Sequence, residues 1–150
     1  MADVTKDDHI LCIGGGICPF SAILFHQSTG AKVTVIDNNE ACIPLAERVI
    51  ERLGLGEYVY VHHQDGACDG VCLSDYSVIH MALQVDPIEY VFSQIEKNAA
   101  PGTKLLIRRP KTALRAVHGK LQEKLVSCCA YVSHNARNIG ATFLYVKESA

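Results

Sequence analysis

The chain has no excess of basic residues. Its 14 lysines and arginines stand against 16 acidic residues, for a formal net charge of −2. A dedicated nucleic-acid binder would carry the opposite bias, so no nucleic-acid partner is expected. No apolar run approaches the length of a membrane span, and nothing at the N-terminus resembles a secretory signal. These absences predict a protein with no membrane partner and a cytoplasmic location. A disulfide framework is also lacking. The cysteines number seven, an odd count, and Cys12, Cys42, Cys128 and Cys129 sit inside apolar runs. That pattern reads as buried free thiols in a reducing compartment. There is no linker, internal repeat or low-complexity segment. Residues 1–8 are polar, carry four charges and read as a flexible tail. One domain is expected to fill 9–150, and at 150 residues, 49% of them hydrophobic, the chain can bury a sizeable core.

What is present is an alternation of short apolar runs with helical patterns. Ile10–Ile13 is a compact run that stops at Gly14-Gly15-Gly16, as a buried strand entering a glycine turn does. Pro19 suits the first turn of a helix over Phe20 to Ser28, which Gly30 closes. Lys32–Ile36 is a second strand ending at Asp37. Asn38 or Asn39 can cap a helix running to Leu53, with Ile43, Ala46, Val49, Ile50 and Leu53 on its inner face. Strands follow at Tyr58–His62 and Tyr76–Leu83. A helix over Pro87 to Asn98 turns Ile88, Val91, Phe92 and Ile95 inward, and Thr103–Ile107 is a fifth strand. The last third differs. A helix near Ala113–Leu125 precedes Cys129–Ser133 and Ala141–Val146, which read as an antiparallel hairpin around the turn formers of Asn135 to Gly140. Strands alternating with helices predict an α/β fold, Rossmann-like, with a mostly parallel seven-stranded sheet covered on both faces.

In such a sheet, ligands bind outside the carboxyl ends of the strands where the strand order reverses. The residues expected there are Gly14, Gly15, Gly16, Asp37, Asn38, Gln64, Asp65 and the segment around Met81. Glycines after the first strand allow close backbone approach to a ligand. Asp37 lies about twenty residues on, the spacing at which an acid can accept hydrogen bonds from both ribose hydroxyls. The bland readings are a tight turn for the glycines, a helix cap for Asp37 and a turn former for Asp65. Glycine turns of this kind serve nicotinamide and other nucleotides alike. The dinucleotide fingerprint, however, has a third small residue where this chain has Pro19.

The segments Ile10-Leu-Cys-Ile-Gly-Gly-Gly16, Val33-Thr-Val-Ile-Asp37, Gln64-Asp65, Tyr76-Ser-Val-Ile-His80 and Ala100-Pro-Gly-Thr-Lys-Leu-Leu106, with the terminal hairpin, resemble the class I S-adenosylmethionine (SAM)-dependent methyltransferase superfamily. The resemblance covers roughly residues 9–147. It implies a SAM cofactor, with Gly14 and Gly16 along its methionine part, Asp37 on the ribose, and Asp65 or Gln64 on the adenine. Within that superfamily, Ile13-Gly-Gly-Gly-Ile-Cys-Pro-Phe-Ser21 and Ala100-Pro-Gly102 leading to Leu106-Ile-Arg108 are similar to the SAM-binding half of nicotianamine synthases. Those enzymes transfer the aminocarboxypropyl arm of SAM. The resemblance thus implies a SAM-dependent transferase, with methyl transfer as the default. The alternatives are an aminocarboxypropyl transferase and a non-catalytic SAM- or nucleotide-binding module acting with a partner protein.

No motif identifies the acceptor. No Asn-Pro-Pro-Tyr or Asp-Pro-Pro-Tyr pattern occurs, and a small molecule or a partner protein fits equally. A pocket completed by a second copy would make a homodimer. His80, at the cofactor end of its strand, can act as a base or sit as a core histidine bonded to backbone. Tyr76 opens the same strand and reads as structural. Arg108 can hold a substrate carboxylate or belong to a solvated basic loop with Arg109, Lys111 and Arg115. His62-His63, His80 and Cys68-x-x-x-Cys72 do not match paired zinc spacing, and Asp75 stands where a radical-SAM motif needs a third cysteine, so no metal is expected.

Overall fold

The computed structural model describes residues 2–66, 71–109, 130–133 and 140–148. The helix expected near 113–125, the turn expected after 134, and Cys68, Cys128 and Cys129 lie outside them. The strands are β1 (His9–Ile13), β2 (Lys32–Asp37), β3 (Val59–His63), β4 (Val78–Met81), β5 (Lys104–Arg109), β6 (Ala130–Ser133) and β7 (Ala141–Val146). They form one seven-stranded sheet in the order β3-β2-β1-β4-β5-β7-β6. β1 to β5 pair in parallel, and β7 runs antiparallel to both β5 and β6. The predicted α/β architecture, seven-stranded sheet and terminal hairpin are therefore present.

Three helices are described: α1 (Phe20–Thr29), α2 (Ile43–Arg52) and α3 (Ile88–Asn98). Alternation along each strand sends side chains to two cores. Leu11, Ile79, Leu105 and Phe143 meet Phe92 and Ile95 of α3 on one face. Ile10, Val33, Val78 and Leu106 meet Ala22 of α1 and Ile50 of α2 on the other. Residues 10–13, 33–36 and 78–81 are buried throughout because both faces of these strands are covered.

Element ends differ from expectation for local reasons. Pro19 stands at the N-cap of α1 rather than inside its first turn. The helix extends to Thr29, whose hydroxyl donates back to the Phe25 carbonyl at 2.7 Å, and Gly30 closes it in the left-handed region. Asn39 accepts from the Ala41 N–H and opens a single 3₁₀ turn at Glu40–Cys42, so α2 starts only at Ile43. Leu53 lies beyond the last turn of α2 and is 50% exposed instead of facing inward. Tyr58 falls outside β3 and stacks on His26 at 4.5 Å. β4 is shorter than expected because a 3₁₀ turn at Leu73–Asp75 precedes it and the chain turns at Leu83. β5 reaches Arg109, held by pairing with Ala141 of β7. Of the described cysteines, Cys12 is buried, whereas Cys42 is only half-buried and Cys18 and Cys72 are exposed.

The segment before β1 makes contacts that a free tail would lack. The Ser77 hydroxyl donates to Asp8 Oδ1 at 2.7 Å, and the Thr5 N–H donates to Asp8 Oδ2 at 2.8 Å. Burial alone would raise the Asp8 carboxyl, but these donors and the Lys104 charge outweigh it and hold it below its ordinary value. Ala2 and Val4 pack on the α1-side core. Among the described residues no helix is long and apolar enough to cross a membrane.

Phe92 is among the largest fully buried side chains, while Tyr90 on the same helix is exposed. Phe92→Ala is expected to lower stability by about 3–5 kcal/mol and Tyr90→Ala by less than about 0.5 kcal/mol, as read by urea denaturation.

Candidate functional site

The strand order reverses at β1, which lies between β2 and β4. Backbone bonding continues past the ends of these strands. The Gly14 N–H donates to Ile36 O at 2.9 Å, the Gln64 N–H to Asp37 O at 3.0 Å and the Ala82 N–H to Ile13 O at 3.0 Å. The floor of the crevice is thus tied together by main chain. Above it opens a cavity of about 430 Å³, within the size range of small-molecule sites.

Gly14, Gly15, Gly16, Asp37, Asn38, Gln64 and Asp65 all line this cavity, so the structure brings together seven of the eight residues expected there. Gly14 and Gly16 have φ of 83° and 61°, a region that side chains disfavour. Gly15 is required for a different reason: a Cβ there would lie 2.2 Å from Val35 Cγ1. The turn is pressed onto β2, and any side chain would lift it. The Asp37 carboxylate fixes the far side of the turn. Its Oδ2 accepts from the Gly16 N–H at 2.7 Å, and its Oδ1 accepts from the Asn39 N–H at 2.9 Å. Each oxygen keeps further acceptor capacity for a ligand.

Met81 is the exception. Its side chain is fully buried in the α3-side core and does not line the cavity. The chain first turns after β4, so that Gln84, Val85 and Asp86 form that wall instead. Gly66 also lines the cavity. A Cβ on it would lie 2.5 Å from Ile13 Cγ2, so it too marks a close approach. The Asp65-Gly66 pair carries that signal in the sequence.

His80 is buried, as the core reading expected, but no backbone group among the described residues bonds it. Its ring packs edge-on to Phe25 at 5.4 Å. Among the described residues its nitrogens make no hydrogen bond. Burial, assisted by the Arg108 charge, pushes its pKa down to about 3, so near neutral pH the ring is uncharged and a weak base. Arg108 is half-buried on the same sheet face. Arg109 points to the opposite face, where burial lowers its pKa and Glu89 offsets part of that effect.

His62 and His63 are exposed on β3, separated from His80 by β2 and β1. His63 Nε2 lies 3.2 Å from Asn38 O. Cys72 Sγ lies 3.2 Å from Ser74 Oγ. Among the described residues no group of three or more His, Cys, Asp or Glu side chains is placed to hold a metal.

Comparison with known proteins follows the geometry. No protein-family model and no curated protein matches the sequence. Solved structures do match the fold. A point mutant of MtNAS, a nicotianamine synthase, in complex with S-adenosylmethionine superposes with a TM-score of 0.81 at 21% identity. The match covers 99% of this chain and 58% of that one, so this chain spans little more than half of that protein's length. An RNA methyltransferase from Salinibacter ruber in complex with S-adenosyl-L-homocysteine gives 0.78 at 14% identity, over 99% of this chain and 86% of that one. Geranyl diphosphate C-methyltransferase from Streptomyces coelicolor A3(2) gives 0.71 at 10% identity, over 96% and 74%. The chain has the fold of the class I SAM-dependent methyltransferases.

Two outcomes are expected of the site's own residues. Gly15→Ala forces the turn off Val35 and is expected to lower stability by about 1–3 kcal/mol. Val35→Ala in the same chain should restore part of that loss in a double-mutant cycle. The depressed pKa of His80 makes stability pH-dependent. The unfolded chain binds this proton below about pH 6.5, while the folded chain does so only near pH 3. The contribution is complete above the unfolded value and is lost as pH falls through this window, at up to ~1.4 kcal/mol per pH unit. Urea titrations from pH 7 to 4 should show this slope, and His80→Leu should reduce it by about one proton.

Proposed function

We propose that the chain is a SAM-dependent transferase and that methyl transfer is its reaction. The observation that carries this reading is the charge of the cavity at the switch point. Asp37, Asp65 and Asp86 line it, and no lysine or arginine does so among the described residues. A pyrophosphate would face these carboxylates with no countercharge. The Gly16 N–H, a donor well placed for a phosphate, is already held by Asp37. SAM carries a cationic sulfonium and an ammonium beside its nucleoside, and such a ligand suits an acidic wall.

The residues present fit that ligand. Gly14 and Gly16 leave room along the turn for the methionine part, Asp37 offers both oxygens to the ribose hydroxyls, and Gln64 and Asp65 lie where the adenine would rest. When bound, SAM supplies a methyl group already activated by the sulfonium. The chain's own task is then to hold donor and acceptor in line. His80, neutral and weakly basic, suits an acceptor that arrives with its lone pair free. The complexes of the structural neighbours with S-adenosylmethionine and S-adenosyl-L-homocysteine support the assignment.

A second reading is favoured by the match to MtNAS, which also extends to its complex with MTA and tNA. In that reading the aminocarboxypropyl arm is transferred. The products separate the two: methyl transfer leaves S-adenosylhomocysteine, and aminocarboxypropyl transfer leaves methylthioadenosine.

Calorimetric titration tests the cofactor. S-adenosylhomocysteine is expected to bind and NAD not to bind. Asp37→Ala should weaken the former at least tenfold, with Asp37→Asn retaining part of the affinity. NAD binding tighter than S-adenosylhomocysteine, or an Asp37→Ala variant that binds S-adenosylhomocysteine unchanged, would overturn the reading.

A further inference from the structure

A second hollow, of about 550 Å³, opens on the α1 side of the sheet over β4, β5 and β7. Its walls are largely apolar, with Leu24 and Phe25 of α1 facing Leu106 and Val132. Asp3 and the hydroxyl residues Ser21, Ser28, Thr29 and Thr142 also line it, and two larger polar groups stand among them. His80 is 3% exposed yet makes no hydrogen bond among the described residues, and its ring lines the hollow. Arg108 lines it too. His80 is paired with Leu106, and Arg108 stands two residues further along β5, so all three share one sheet face.

Arg108 has no carboxylate partner among the described residues, in contrast to Arg109, which has Glu89 on the other face. Its charge acts instead on His80, whose imidazolium it disfavours, and on Cys12, where burial favours the neutral thiol and the Arg108 charge offsets only part of that effect. Asp3, the one acid among the described residues of these walls, is exposed at the rim, where solvent screens it. Among the described residues neither the half-buried guanidinium nor the buried imidazole has a hydrogen-bond partner, and such groups are costly in an apolar wall. Both are satisfied at once by an oxyanion, which accepts from the guanidinium and from the imidazole N–H.

A smaller hollow of about 220 Å³ shares lining residues with both. It shares Gly14, Gly15, Cys18 and Gln84 with the acidic cavity, and Ser21, His80 and Arg108 with the apolar hollow. Arg108 and the glycine turn thus line one hollow.

We infer that the apolar hollow binds an apolar carboxylate, its body along Leu24, Phe25 and Leu106 and its charge on Arg108 and His80. Its role as the acceptor pocket rests on the transferase reading; the binding itself does not. The first cavity favours a cationic ligand and the second an anionic one, so donor and acceptor enter oppositely charged sites.

Calorimetry with octanoate, octanol, octylammonium and octyl phosphate, with and without saturating S-adenosylhomocysteine, tests this. Octanoate is expected to bind at least tenfold more tightly than octanol, and octylammonium most weakly. Arg108→Gln should abolish the preference for octanoate over octanol, and Arg108→Lys should retain part of it. Tighter binding of octyl phosphate than octanoate would overturn the carboxylate assignment and name a phosphate ester as the ligand. Equal binding of octanoate and octanol, preference for octylammonium, no binding, or displacement of octanoate by S-adenosylhomocysteine would each overturn the site. Because the preference is measured on the unaltered chain, it decides the matter even where a variant fails to fold. Selective octanoate binding alongside no S-adenosylhomocysteine binding would remove the acceptor role and leave the carboxylate site standing.

Discussion

The reversal of strand order at β1 is the constraint on which the site depends. β2 and β4 flank β1 and all three run in the same direction, but the chain leaves β1 toward one side and returns from β4 on the other. The connections therefore diverge above the carboxyl ends, and a crevice opens that no other pair of parallel neighbours creates. The crevice does not collapse because its floor is main chain bonded to main chain at Gly14, Gln64 and Ala82. Glycine at residue 15 lets the turn settle against Val35, and glycine at residue 66 lets the β3 end settle against Ile13. A side chain at either position would push the wall into the cavity.

Asp37 then serves two purposes that compete for the same atoms. Its oxygens hold the Gly16 and Asn39 N–H groups, which shapes the turn, and they also face the cavity. The cap reading of Asp37 and the ligand reading are thus complementary, since one carboxylate carries enough lone pairs for both. Fixing the acid in this way removes a backbone donor from the anion-binding repertoire of the turn. The same contact that shapes the turn occupies the Gly16 N–H.

Much of this was legible in the sequence because the signals are local. Ile10–Ile13 ending in three glycines, and β-branched residues ending at Asp37, announce a strand, a turn and an acid at a known separation. Residues whose position depends on how the chain leaves a strand were not legible. Met81 is apolar and ends β4, but a continuous apolar run does not reveal where the strand stops facing the core. The cavity wall begins three residues later, at Gln84, where the chain has turned. Leu53 fits the helical period yet lies past the last turn of α2, because periodicity carries no information about where hydrogen bonding ends. The contacts of residues 2–8 were hidden for a related reason: a polar segment reads as free until the face it crosses is known.

His80 shows what sequence patterning cannot price. In a run of Val78, Ile79 and Met81, a histidine reads as a core residue held by a backbone partner, and burial agrees. Among the described residues it has no hydrogen-bond partner, and that changes its meaning. An unpaired buried polar group costs about 1–3 kcal/mol, and an apolar residue of similar size would remove that cost on a face already lined by Leu106 and Phe25. Arg108 beside it adds to the cost, because its charge further disfavours protonation of the ring. Two unfavourable choices on one face, two positions from each other across neighbouring strands, oppose the stability of the sheet in the same direction. A core selected for packing alone would keep neither. An anion taken up in the proposed site would compensate both.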